Sequence, residues 1–160
     1  MKILTVPLAA IVVASCASYD GRGLRPGASS EADVRGLMGA PAVEIATDDG
    51  GKRLAYPRGP LGTQTYMADI DRDGRLEAVR QVLNDGTFNG IRPGMTRDEV
   101  LTRIGPPGDT MAFALSGNTA WDYRFVDTWG YLAVFSVTFD PNGIVVSKIS
   151  RRLQDRESKH

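Results

Sequence analysis

The chain is 160 residues long, 42% hydrophobic and 24% charged, which lies inside the globular range and far from the polar makeup of disordered chains. Its 19 basic and 19 acidic residues cancel, so no overall field draws it to nucleic acid or to an acidic surface, and a DNA or RNA partner is not expected. A single cysteine and a single histidine, His160 in the last place, argue against structural disulfides, imidazole-driven nucleophilic catalysis and histidine-based metal ligation.

Met1 and Lys2 form a minimal positive start, and residues 3–13 (ILTVPLAAIVV) are an apolar run shorter than the roughly 20 residues that a membrane-spanning helix needs. Residues 1–15 therefore read as a signal peptide. The run ends in Val13-Ala14-Ser15-Cys16, an aliphatic residue at −3, small residues at −2 and −1, then the only cysteine. The pattern resembles the bacterial lipobox, in which Cys16 would be acylated and become the new N-terminus. Ala17, rather than an aspartate, follows it, and the resemblance then implies sorting to the outer membrane. Two acyl chains plus a third on the amine exceed the two signals needed for stable anchoring. Residues 16–29, rich in Gly, Ser and Ala, read as the lipidated cysteine and a flexible tether.

Residues 23–41 (GLRPGASSEADVRGLMGAP) contain a short acidic helical segment with Ser30 and Asp33 in the places of a capping pair. Strands are expected over residues 63–70 and 75–83, joined at Asp71-Arg72-Asp73-Gly74, and Tyr56-Pro57-Arg58-Gly59-Pro60-Leu61-Gly62 is a loop. Asp69-x-Asp71-x-Asp73-Gly74 matches the opening of an EF-hand calcium loop, but Arg80 stands at the twelfth place, where a bidentate carboxylate is required. No metal and no cofactor is expected. Gly50-Gly51-Lys52-Arg53 lacks the spacing and the Ser/Thr of a phosphate loop.

The most informative stretch is residues 90–107, GIRPGMTRDEVLTRIGPP. Thr96 precedes Glu99 by three residues, the spacing of a capping box, which sets a helix N-terminus after the Gly94 turn. Val100, Leu101 and Ile104 form one apolar stripe, and Gly105 with Pro106 and Pro107 forbids continuation. A helix of about two turns over residues 97–104 follows. It echoes residues 23–41: Gly-aliphatic-Arg-Pro-Gly opens both and Gly-x-Pro closes both, an offset of about 67 residues that covers most of the chain. Residues 23–86 and 87–153 thus read as two tandem repeats, with a polar tail at 154–160.

In the second copy Trp121, Tyr123 and Phe125 share one strand face, and Tyr131, Ala133, Phe135, Val137 and Phe139 share another. Asp140-Pro141-Asn142-Gly143 turns residues 131–140 back onto 144–153 as a hairpin. The closing strands leave their parity open, because Val145 and Ile149 suggest one face while their counterparts Leu76 and Arg80 disagree. Trp129, on the connection before that hairpin, and Tyr131 beside it are the candidate contact residues, although Trp129 folding back on its own sheet fits the sequence equally well.

The lipobox, the GIRPGMTRDEVLTRIGPP motif, WDY and FDPNG together resemble the SmpA/OmlA (BamE-like) family of outer-membrane lipoproteins. The resemblance is more specific over residues 90–150 than over 23–83, and it implies an α+β fold in which helical turns precede an antiparallel sheet, here twice, similar to the β-lactamase-inhibitor-protein fold. It further implies no enzymatic activity, a membrane contact through the lipid anchor on the periplasmic side of the outer membrane, and protein partners that include β-barrel assembly machinery. In that reading Gly94, Thr96, Glu99, Gly105 and Pro107 are structural, and the alternative is a tethered inhibitor or binding module for a periplasmic enzyme.

Overall fold

The computed structural model describes residues 20–59 and 61–153. The signal-peptide and lipobox readings, Cys16 included, and the polar tail at 154–160 lie outside the described residues. The fold is α+β. A helix α1 (Glu31–Met38) precedes strands β1 (Val43–Ala46), β2 (Lys52–Pro57), β3 (Thr65–Ile70) and β4 (Leu76–Gln81). A short helix α2 (Asp85–Asn89) and a second helix α3 (Arg97–Ile104) then lead into β5 (Asp109–Phe113), β6 (Asn118–Val126), β7 (Leu132–Phe139) and β8 (Val145–Arg152). The strands form two four-stranded antiparallel sheets, each paired in chain order.

The two helices begin and end by the same devices. Ser30 caps α1 and Thr96 caps α3, and in each a full reciprocal box closes through the residue three places on, Asp33 or Glu99. Each cap residue also bridges to the residue after the distant hairpin turn, Ser30 to Arg75 and Thr96 to Ile144, which ties the helix start to its own sheet. Those turns are alike: the carboxylates of Asp71 and Asp140 each accept two backbone N–H bonds at 2.8–2.9 Å, and a left-handed glycine, Gly74 or Gly143, follows. At their C-termini Gly39 and Gly105 take φ +87° and +78° with ψ near 180°, a region almost closed to other residues.

The parity that the sequence leaves open is decided by a β-bulge in each sheet, at Asp69/Ile70 and at Thr138/Phe139. Leu76 pairs with Ile70 and enters the core under α1, whereas Arg80 pairs with Met67 on the opposite face. Val145 likewise lies buried opposite Phe139, whereas Ile149 pairs with Ser136 and faces outward. The two copies agree, each splitting its pair across the sheet.

Two cores follow from this alternation. The smaller joins Val34 and Met38 of α1 to Leu54, Tyr56, Ala68, Ile70 and Leu76. The larger takes Val100 and Ile104 of α3, Phe88 of α2, and Tyr123, Phe125, Phe135, Val137 and Phe139 of the second sheet, together with Ala55 and Met67 from the back of the first. Phe88 stacks on Phe135 with centroids 4.1 Å apart and meets Phe125 edge-on at 4.8 Å. A Cβ on Gly105 would stand 3.0 Å from Thr65 Cγ2 and 3.3 Å from Met67 Cε, so the exit of α3 runs directly against the first sheet. The Tyr123 hydroxyl donates to the Gly105 carbonyl at 3.0 Å within the same core, and burial pushes that hydroxyl's pKa above the ordinary tyrosine value.

Candidate functional site: the open face of the second sheet

Side chains alternate along a strand, so the residues of β6 and β7 that do not enter the core point to the other side of the sheet. The register places Val126, Arg124 and Asp122 of β6 beside Leu132, Val134 and Ser136 of β7 on this outer face. Met111 and Phe113 reach it from β5 and Ile149 and Arg151 from β8. Ile149 is 63% exposed and Met111 53%, with Phe113, Val126 and Leu132 also exposed. A hollow of about 320 Å³ lies between this face and Leu61, bordered by Asp109, Asp122, Arg124 and Val134. Exposed Met111, Phe113, Val126, Leu132 and Ile149 thus share this face with Asp122, Arg124 and Arg151, a mixed surface opposite a packed one.

At one end of the face the β6–β7 connection presents Trp129, 79% exposed, and Tyr131, 57% exposed. Trp129 does not fold back on its sheet, and the loop that carries it is held firmly. The Asp127 carboxylate accepts the N–H groups of Trp129 and Tyr131, both at 2.9 Å, and Gly130 supplies the left-handed turn at φ +85°. Its other oxygen receives Arg152 Nε at 2.6 Å, while the Arg152 guanidinium lies 4.5 Å over the Tyr131 ring. Thr128 anchors the loop to α2 through Asp85, its hydroxyl donating at 2.5 Å and its N–H at 3.1 Å. Desolvation works against the charged form of Asp127, but the Tyr131 N–H, Arg152 and the Trp129 N–H outweigh it and hold the carboxyl below the usual range. The backbone that carries Trp129 is therefore pre-positioned, so ordering of the loop would cost little on binding.

Gly94, Thr96, Glu99, Gly105 and Pro107 stand at the entry and exit of α3, away from this face, and Trp129 and Tyr131 lie on the loop at its end. The exposed residues of β5 and Ile149 were not singled out by the sequence. β5 lies at a sheet edge with all five residues exposed, so it carries no alternation, and Ile149 is turned outward by a bulge that no single residue announces. Asp69, the first residue of the EF-hand-like run, pairs with Arg53 at 2.5 Å and with Arg80, and Asp71 is engaged by its own turn. Among the described residues no group of three or more His, Cys, Asp or Glu is placed to hold a metal ion, and no helix is long and apolar enough to cross a membrane.

No protein-family model matches the chain, and no curated protein matches it. Among solved structures it is similar to a DUF4309-family protein of Bacillus subtilis, at 15% identity over 82% of this chain and 84% of that one, with a TM-score of 0.31. It is also similar to a proposed β-lactamase inhibitor protein of Streptococcus mutans, at 12% identity over 79% of this chain and 84% of that one, with a TM-score of 0.32.

Proposed function

We infer that the protein is a non-enzymatic, lipid-anchored lipoprotein of the outer membrane that faces the periplasm and binds a protein partner as a scaffold in envelope integrity or β-barrel outer-membrane protein assembly. The observation that carries the binding role is the exposed apolar face of the second sheet ending in the rigid Trp129 loop. Large exposed aromatics on an ordered loop are the residue type that dominates binding energy at protein interfaces. The lipobox-like run ending in Cys16 and the resemblance of residues 90–150 to SmpA/OmlA lipoproteins support the anchor and the compartment.

Two experiments test this reading. Cells fed labelled palmitate incorporate it into the wild-type protein and not into Cys16→Ser, which is recovered free of the membrane; an unlabelled wild-type protein overturns the anchor. A photo-crosslinker placed at Trp129 or Ile149 captures a subunit of the β-barrel assembly machinery in the periplasm, and one at Arg72, in the β3–β4 turn, does not. No captured subunit, with normal outer-membrane protein levels in a deletion strain, overturns the scaffold role. Capture of a soluble periplasmic enzyme instead assigns the tethered-inhibitor alternative.

A further inference from the structure

Away from the open face, where the back of the first sheet meets α2 and α3, three arginines line one cleft. Arg53 comes from β2, Arg80 from β4 and Arg103 from the last turn of α3, and Gln81 and Thr87 add polar groups to a cleft of about 330 Å³. The carboxylate within this cluster is Asp69, almost fully buried and shared between Arg53 and Arg80. Counting Glu99, which faces Arg103 one turn away on α3, three guanidiniums stand against two carboxylates, a formal excess of about +1.

The donors are only partly used. A guanidinium carries five N–H donors in a planar fork. Arg53 spends two groups, Nε on Asp69 and Nη1 on the Thr102 carbonyl at 2.6 Å, which also satisfies the C-terminal end of α3. Arg80 spends one nitrogen on the other Asp69 oxygen. Arg103 makes no hydrogen bond or ion pair among the described residues, and Glu99, one turn earlier, meets it only through space. The forks of Arg80 and Arg103 thus remain available on the walls of a cleft whose third arginine is already fixed in place.

We propose that this junction cleft binds an oxyanion, the carboxylate or phosphate group of a ligand, between Arg80 and Arg103 with Arg53 behind it. Planar forks match both groups in bidentate fashion, and charge-assisted bonds of that kind are the strong ones. The ligand would touch the first sheet through Arg80 and α3 through Arg103, so binding links the two halves of the chain. The proposal stands whether or not the open face docks a protein.

The test uses the full chain in detergent micelles, in phosphate-free buffer at fixed ionic strength, titrated calorimetrically with inorganic phosphate and, separately, with a tetraglutamate peptide. Saturable binding of at least one probe is expected, and the probe that saturates at the lower concentration identifies the source of the oxyanion. Arg103→Ala, an exposed substitution that leaves the core untouched, weakens that binding about tenfold, the effect of one charge-assisted pair, and Arg80→Ala does the same. Arg103→Lys keeps part of the affinity, and Arg72→Ala, outside the cleft, keeps all of it. Heat that never saturates with either probe, or equal affinity in Arg103→Ala and wild type, overturns the proposal.

Discussion

Gly39 and Gly105 offer a controlled comparison, because the same backbone conformation is used twice in different surroundings. Both end a capped helix with an N–H bond to the carbonyl four residues back, Gly39 to Arg35 at 2.9 Å and Gly105 to Leu101 at 2.8 Å. Both hold a positive φ with an extended ψ, so an alanine at either place costs about 1–3 kcal/mol of backbone strain. A Cβ at Gly39 meets nothing within 4 Å, whereas one at Gly105 stands 3.0 Å from Thr65 Cγ2 and 3.3 Å from Met67 Cε. The methionine end can swing away, but Thr65 is β-branched and buried, so the second sheet's helix must shift against the first sheet. Overpacking of that kind adds about 1–3 kcal/mol. Urea unfolding followed by far-UV circular dichroism should therefore show Gly39→Ala losing about 1–3 kcal/mol and Gly105→Ala losing about 1–3 kcal/mol more. Equal losses would mean that the exit of α3 is not a packing contact between the two sheets, and the shared core would have to be redrawn.

Three further outcomes are expected. Trp129→Ala leaves the unfolding midpoint almost unchanged, since the side chain touches little, yet weakens capture of the protein partner by about 2 kcal/mol, roughly 30-fold in a pull-down titration; undiminished capture removes Trp129 from the interface. Asp33 and Glu99 are held below the usual carboxylate range, chiefly by the backbone N–H of the cap residue and then by its hydroxyl. Their stabilising effect is present above the unfolded carboxyl value near 4 and is lost as the pH falls through the lower folded values, so the melting temperature drops more between pH 5 and 2.5 in wild type than in Asp33→Asn/Glu99→Gln, and parallel profiles would refute it. Tyr123→Phe leaves the buried Gly105 carbonyl without its donor and costs about 1–3 kcal/mol in the same urea assay, while in wild type the Tyr123 phenol stays protonated when the exposed tyrosines ionise in an ultraviolet titration.

What the sequence discloses is what local chemistry determines. Thr96 with Glu99 and the glycine-proline exit mark α3 to the residue, and the same chemistry in Ser30 and Asp33 marks α1. Aromatic alternation shows β6 and β7 because one face of each is sealed in the core. β1, four residues long, and β5, exposed throughout, have no such contrast to display, and α2 is a single turn through Gly86 that owes its place to the Asn84 cap and to Phe88 packing on Phe135. The arginine cleft is hidden for another reason: Arg53 and Asp69 are 16 residues apart and Arg80 is 11 farther on, and only the strand register brings them together. The acidic run at Asp69 does catch the eye, and its first carboxylate is taken up by Arg53 and Arg80.

The asymmetry between the two repeats follows from the position of α3. In the first sheet one face is sealed by α1 through Val34 and Met38, and the other meets the core that holds Val100 and Ile104 through Ala55 and Met67. The second sheet uses the same helix for its inner face, and among the described residues only the segment bearing Leu61 borders its outer one. Among the described residues three sheet faces are thus covered and one is open. α3 lies between the two sheets in the chain and packs against the back of the first and the inner face of the second. Apart from Leu61, the exposed large apolar residues among those described lie in the second half, chiefly on β5, β8 and the β6–β7 loop. A sequence under pressure only to fold would fill such a face with charge, as Asp122, Arg124 and Arg151 do in part. Retaining Met111, Phe113, Leu132 and Ile149 there, next to a tryptophan on a loop whose backbone is held by Asp127 and by Asp85 of α2, is the arrangement expected of a surface that meets another protein.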